Sequence, residues 1–479
     1  LSWEANVVKI RARLLVGLLA VLLVAAACGQ KEGVHVATSG GSSGDVSGEL
    51  STDTGATDAG ATDAGATDAG GAAAAGTSGG AAAAGGGAKA ATGGAAAGAT
   101  GGAVKVSGTT RTGVTKDKIT IAVHAPVTGA APLPATSFEK ARDLYWRWIT
   151  ENKGEKVLGR AKVEVLFKDD RYQPSTAVQA CRELAANAFL LVGGGGTDQI
   201  QACGRFAESA RVPYFSGGVT ENGLQGLKYY FASSMTYKQQ GGLLAQYVKK
   251  NFAGKKVAAV ITDTPNFDDA AAGWEAGRQA QGLSYYKTLR HPRADTSWYN
   301  TFASELKGAG VQVLYINSSP VDYIRFAQQA SQQGFVPQFV GVGITMGLNP
   351  VLESGCPEVA NGVFLSPFPG LDWAQQNQPD FNAAASKFGV VADDLALALW
   401  GFAKNVHELF KRYEATYGTD LTREDFRNMV EQQKGIKSGV FPELSYSPAD
   451  HFGANSVHVL KADCGTKRHA TLATFATGF

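Results

Sequence analysis

Lys118-Ile-Thr-Ile-Ala-Val-His124, running into Ala125-Pro-Val-Thr-Gly129, decides the fold. An apolar run of strand length that stops at a Pro/Gly turn and is followed by an amphipathic pattern from Ser137 to Lys153 reads as a βα unit. The unit recurs outward along the chain. Strands are predicted at Lys162 to Lys168, Phe189 to Gly193, Val212 to Phe215 and Tyr229 to Ala232, with a helix from Ser175 to Ala186 and another starting near Asp198. A second series begins at Lys256 to Ile261 and continues through Tyr285 to Leu289, Val311 to Ile316, Gln338 to Val342 and Val363 to Leu365. Its helices are Asp269 to Gln281, Trp298 to Lys307 and Val321 to Gly334. Alternation of this kind predicts an α/β protein with parallel sheets flanked by helices. The helices Ala392 to Tyr413 and Arg423 to Gln433 come next, then short strands around Val440, Leu444 and Val457 to Leu460. A helical block after two α/β series implies that the chain crosses back, so each lobe is discontinuous. Lobe one is expected over 113–235 plus 371–441, and lobe two over 236–370 plus 442–479.

Upstream of this region the texture differs. Lys9, Arg11 and Arg13 precede an apolar run from Leu14 to Ala27, which is shorter than the roughly 20 residues needed to span a bilayer. A basic flank, a short apolar stretch and the small residues Ala25, Ala26 and Ala27 read as a signal peptide over 1–27. Cys28 follows directly and resembles the lipidated cysteine of a bacterial lipobox, although Ala25 stands where that motif usually has Leu. The resemblance implies an anchor on the outer face of the membrane. Residues 28–112 repeat Thr-Asp-Ala-Gly-Ala between Thr57 and Gly71 and continue in Gly and Ala blocks. So little apolar side chain cannot offset chain entropy, so a disordered tether is expected, with a reach of about 50 Å.

The formal net charge is +2, with Lys and Arg dispersed, which argues against nucleic acid as a partner. Besides Cys28 there are Cys181, Cys203, Cys356 and Cys464, an even number in an exported chain. Three pairings can be drawn. Placement on successive helices of one lobe favours Cys181 with Cys203, leaving Cys356 with Cys464 in the other. Neither CxxC nor HxxxH spacing occurs, so no metal site or cofactor is called for. No Gly-x-Ser-x-Gly elbow is present, and no histidine pairs with a predicted nucleophile at an exposed turn, so no enzyme is expected.

Several landmarks occur in order: Ala125-Pro-Val-Thr-Gly129, Lys168-Asp-Asp170, Val192-Gly193 with Thr197, Val212-Pro-Tyr-Phe-Ser216 with Val219-Thr220, and Gln338-Phe-Val-Gly341. Together they resemble the type I periplasmic binding proteins, in particular the branched-chain amino-acid (leucine/isoleucine/valine) binding family of ABC importers. That resemblance implies two lobes joined by three crossovers, a small ligand gripped between them, delivery to a membrane permease, and action as a monomer. It places Thr197 on the ligand carboxylate, the Val219 carbonyl on the ligand amine and Thr220 on the carboxylate. Phe267 and Ser319 fall at aromatic positions of the family, and Gly343 where the family has the acid that pairs with the ligand ammonium. An ammonium left unpaired in a closed cleft is costly by several kcal/mol, so either another acid substitutes or the ligand lacks an amine. Glu221, Asp263, Asp268 and Asp322 are the candidate substitutes. Trp373, near Pro367 and Pro369, is a candidate for contact with the cleft. A sensing domain of the same fold, signalling to a partner, is the alternative to transport.

Overall fold

The computed structural model describes residues 104–479 except 218–219, 294 and 344–345. The described residues belong to one compact unit, Ala96–Phe479. The leader, Cys28 and Val219 lie outside the described residues.

The first βα series runs β1 (Lys118–Ala125), α1 (Ala135–Ala141), α2 (Leu144–Arg147), β2 (Lys162–Asp169), α3 (Pro174–Ala185), β3 (Leu191–Gly193), α4 (Thr197–Ala210), β4 (Tyr214–Ser216) and β5 (Tyr230–Ala232). These strands form an all-parallel sheet in the order β2-β1-β3-β4-β5. The second series runs α5 (Tyr237–Asn251), β6 (Val257–Thr262), α6 (Asp268–Ala280), β7 (Tyr285–His291), α7 (Trp298–Gly308), β8 (Val313–Asn317), α8 (Pro320–Gln332), β9 (Gln338–Val342), α9 (Asn349–Gly355) and β10 (Val363–Ser366). After α10 (Leu371–Asn377), α11 (Pro379–Phe388), α12 (Asp394–Tyr417) and α13 (Arg423–Val430), the strands β11 (Val457–Asp463) and β12 (Arg468–Ala476) complete the second sheet. Its order is β12-β11-β10-β9-β8-β6-β7, with β11 antiparallel to both β10 and β12 and the other neighbours parallel.

The central strands are buried on both faces, and β6 and β8 are buried at every position. Such strands read as continuous apolar runs, which is why they were legible. The helical block does return to the first sheet. On α12, Trp400 meets Tyr145 edge-on at 5.0 Å and Phe410 lies 6.2 Å from Phe189 beside β3. Each predicted cysteine pair is bonded: Cys181–Cys203 links α3 to α4, and Cys356–Cys464 ties the end of α9 to the end of β11.

Four expectations need correction. The single helix Ser137 to Lys153 is broken into α1, α2 and a π turn at Trp148–Asn152. The bulky Leu144, Trp146 and Ile149 are all buried, a spacing that one regular helical stripe does not serve. No strand forms at Val440 or Leu444. Leu444 makes isolated bridges to Ile436 and Ala454, and the Val440 N–H is taken by the Ser438 hydroxyl. Helix α5 was not foreseen because Gly241 and Gly242 interrupt it. Those glycines allow close packing, since a Cβ on Gly241 would sit 2.6 Å from the Trp274 nitrogen of α6. Finally, residues at the end of the expected tether are bound to the domain. Ser107 and Gly108 donate to Asp425, Thr110 donates to Glu424, and Arg111 pairs with Asp420.

Candidate functional site

In an open parallel sheet, ligands bind beyond the carboxyl ends of the strands where the strand order reverses. Here that point falls between β1 and β3 in the first sheet and between β6 and β8 in the second. The loops leaving these four strands meet around one cavity. Pro126 and Leu133 follow β1, Gly193 to Thr197 follow β3, Phe267 follows β6, and Ser318 to Pro320 follow β8. Tyr172 and Tyr237 complete the polar lining, and no charged side chain is among the described residues that line it. Among the described residues no helix is long and apolar enough to cross a membrane.

The first wall is mostly backbone. Gly193 to Gly196 carry the chain from β3 into α4, and their lack of side chains is enforced by neighbours. A Cβ on Gly193 would lie 2.1 Å from the Tyr214 hydroxyl, and one on Gly194 would lie 2.7 Å from the Phe138 ring. Beneath them the fully buried His124 is held between Asp170 and Tyr214, at 2.8 Å from each. Cys181 and Cys203 lie near this histidine, but their sulfurs are bonded to each other and so are not available to a metal. Thr197 opens α4, where unpaired N–H groups favour anionic or acceptor atoms. Its side chain and that of Tyr237 line the same cavity. Tyr172 enters from the loop after β2 with φ 58, following Arg171 at φ 54, two consecutive left-handed residues that aim the phenol ring into the cleft wall.

The second wall is made of side chains. Tyr237 stacks on Phe267 with ring centroids 5.7 Å apart. Burial holds the Tyr237 phenol well above its ordinary range, so it stays neutral. Ser319 caps α8: it accepts from the Asp322 N–H at 3.1 Å and donates to the Asp322 carboxylate at 2.7 Å. Ser318 donates to the same carboxylate and lies 2.9 Å from His291 Nε2, while Tyr299 donates to its other oxygen. His291 Nδ1 lies 3.1 Å from the Pro292 carbonyl, which leaves Nε2 as the acceptor. Burial lowers the His291 pKa and keeps it neutral. No local pattern in the sequence sets a serine beside a histidine. The cluster forms because β7 and β8 flank β6 and end at the same edge.

Contacts between the two walls are polar and specific. Asp198 on α4 accepts from Asn266 and pairs with Arg293. Burial still raises its pKa, with Arg293 opposing. Asp269 on α6 accepts from the Thr220 hydroxyl and from the Glu221 and Asn222 N–H groups, at 2.7 to 2.8 Å. These bonds clasp the loop after β4 to the second series.

Of the residues carried over from the resemblance, Thr197, Phe267 and Ser319 come together on the cavity. Thr220 is fully buried and spends its hydroxyl on Asp269, and the neighbouring Gly217 lines the space instead. Gly343 is also displaced from the lining. It has φ +86, its N–H donates to Gln240 at 3.0 Å, and a Cβ there would lie 2.4 Å from the Tyr237 ring. Of the candidate acids, Glu221 pairs with Lys238, Asp263 and Asp268 pair with Arg290, and Asp322 is bonded to three hydroxyls. Trp373 packs against Phe475 and His458, away from the cavity. Sequence reasoning missed Tyr172, Tyr237 and Ser318. Tyr237 stands at the head of the unforeseen helix, right after the capping residue Thr236, and that capping box was the available signal.

A family model described as periplasmic binding protein matches residues 118–468. The Leu/Ile/Val-binding protein homolog 7 of Brucella abortus (strain 2308) is 24% identical over 215 residues, 42% of this chain and 52% of that protein. The chain thus spans about half the length of the curated relatives it matches. Among solved structures, a fatty acid ABC transporter substrate-binding protein from Thermomonospora curvata is similar with a TM-score of 0.65 at 19% identity, covering 77% of this chain and 95% of that one. A branched chain amino acid ABC transporter from Thermus thermophilus with bound valine gives a TM-score of 0.63 at 15% identity, covering 76% and 98%.

Proposed function

Since the chain belongs to the periplasmic binding protein family, we propose that it is an extracytoplasmic solute-binding protein, lipid-anchored at Cys28, that captures a small ligand between two lobes and delivers it to an ABC permease without transforming it. The observation that carries this reading is the coincidence of two switch points, one from each sheet, on a single uncharged cavity. The lobes are taken as 113–235 plus 371–441 and 236–370 plus 442–479. Thr197, Phe267 and Ser319 hold the ligand, which is of amino acid, carboxylate or amide type. The solved relatives, one named for fatty acid and one holding valine, support a family site that accepts different solutes. Ligand binding energy selects the closed arrangement of the lobes.

Mass spectrometry of the small molecule that copurifies with the full chain tests this. A single solute that raises thermal stability when re-added is expected, by about 2.7 kcal/mol at a hundred times its Kd. Absence of any copurifying or stabilising solute, or chemical conversion of one, contradicts it. Replacing Cys28 with Ser is expected to release the protein from the membrane fraction. Retention of that variant contradicts the anchor.

A further inference from the structure

The lining places polar groups and volume unevenly. No acid among the described residues faces the cavity with an unoccupied oxygen to take an ammonium. Asp198 is engaged by Arg293 and Asn266, and the Asp322 oxygens by Tyr299, Ser318 and Ser319. Space for a new acid is also denied. Any side chain at Gly343 meets the Tyr237 ring, whose nearest carbon is 2.4 Å from an ideal Cβ, and Tyr237 is itself buried and stacked on Phe267. What favours an anion instead is the N-terminal end of α4, which Thr197 brings to the cavity; Arg293, which borders the adjoining part of the cleft together with Asp322, is already paired with Asp198.

On the far side of the glycine wall lies a second, smaller space lined by Phe138, Leu395, Leu399, Phe402 and Phe441 among others, none of them charged. The two spaces share Gly193, Gly194 and Gly217, so backbone without side chains is the only partition those residues offer. An apolar group passing along this wall leaves water for an apolar surface, whereas an ammonium group there would lose its hydration with nothing to replace it.

We propose that Tyr237 is the residue that sets ligand class: by filling the space beside Gly343 it excludes α-amino acids and leaves a cleft that selects carboxylic acids with an apolar body and no amino group. The inference rests on the solute-binding reading above and narrows it.

Matched pairs isolate the ammonium. Titration of the full chain, freed of copurified solute, with 4-methylpentanoate against L-leucine and 3-phenylpropanoate against L-phenylalanine compares ligands that differ only in that group. At least tenfold tighter binding of the better acid than of its amino-acid partner is expected. The double variant Tyr237→Ala with Gly343→Asp, which opens the space and supplies a carboxylate at a left-handed position that Asp tolerates, is expected to reverse the preference. Tyr237→Phe keeps the ring. It is expected to keep the order of preference and to weaken acid binding about two- to tenfold through loss of the phenol hydroxyl from the cavity lining. Equal or tighter binding of the amino acid to the natural chain overturns the proposal but leaves the solute-binding reading intact. Binding of neither member of both pairs also overturns it, and a chain that in addition carries no copurifying solute overturns the broader reading. If the double variant does not fold, the natural chain and Tyr237→Phe still decide the matter.

Discussion

The two walls of the cleft solve the same problem with opposite materials. The first is main chain, four glycines and a helix start, kept bare because Tyr214, Phe138, Leu133 and Gln199 stand where side chains would go. The second is side chain, a stacked Tyr237 and Phe267 with serines anchored on Asp322. A wall of backbone offers fixed N–H groups and little discrimination among bodies. A wall of side chains can change its chemistry by a single substitution, as the pairing of Gly343 with Tyr237 illustrates. Specificity in this molecule is therefore expected to reside in the second wall, and affinity for an acceptor group in the first.

The largest expected difference between the regions concerns their disulfides. Cys181–Cys203 spans 22 residues and Cys356–Cys464 spans 108. On loop entropy, removing the first by paired Ala substitutions costs about 3 kcal/mol and removing the second about 4 to 5 kcal/mol. Chemical denaturation of the two double variants measures both, and a larger loss from the shorter loop would break the ordering.

Acidification separates the lobes next. Burial pushes His458 on β11 and His469 on β12 down to about 4, and His407 on α12 likewise to about 4. A histidine with lowered folded pKa binds fewer protons folded than unfolded between pH 4 and 6.5. Its contribution is present above pH 6.5 and is lost as pH falls toward 4, by roughly 3 kcal/mol per group at most. Asp394, pushed up to about 7 by burial, works the other way: its effect favours the fold below pH 4 and fades as pH rises to 7. Two of the three histidines lie in the second sheet, while the opposing Asp394 begins α12 with the third. Hydrogen exchange across pH 7 to 4.5 should show β11 and β12 losing protection before β1 to β5. Simultaneous loss would erase the distinction.

A smaller effect tests the filled space itself. Gly343→Ala meets both a positive φ and the Tyr237 ring, and is expected to lower stability by about 1 to 3 kcal/mol. Much of the steric part should return in the Tyr237→Ala background, and an additive pair of losses contradicts the contact. Thr197→Ala, on the first wall, is expected to weaken ligand binding by about 0.5 to 1.5 kcal/mol with little change in which ligand is preferred. A change of preference would move specificity to the first wall.

The same contrast explains what the sequence made legible. Strands such as Val313–Asn317 announce themselves as apolar runs, and the Gly193–Thr197 turn is a local pattern, so the sheets and the first wall could be read. Tyr237 could not be, because its role depends on Gly343 more than a hundred residues away and on Phe267 in another loop. Thr220 and Gly343 enter only through their position in a family pattern. Their surroundings, Asp269 for one and a phenol ring for the other, are tertiary facts that no local spacing encodes.

Hydrogen–deuterium exchange of the full chain with and without its copurifying solute tests the central claim most directly. Protection should appear together in the peptides covering 193–200 and 317–322, the two switch-point loops on opposite walls. Protection confined to one of them, or absent from both at saturating solute, would contradict a ligand held between the lobes.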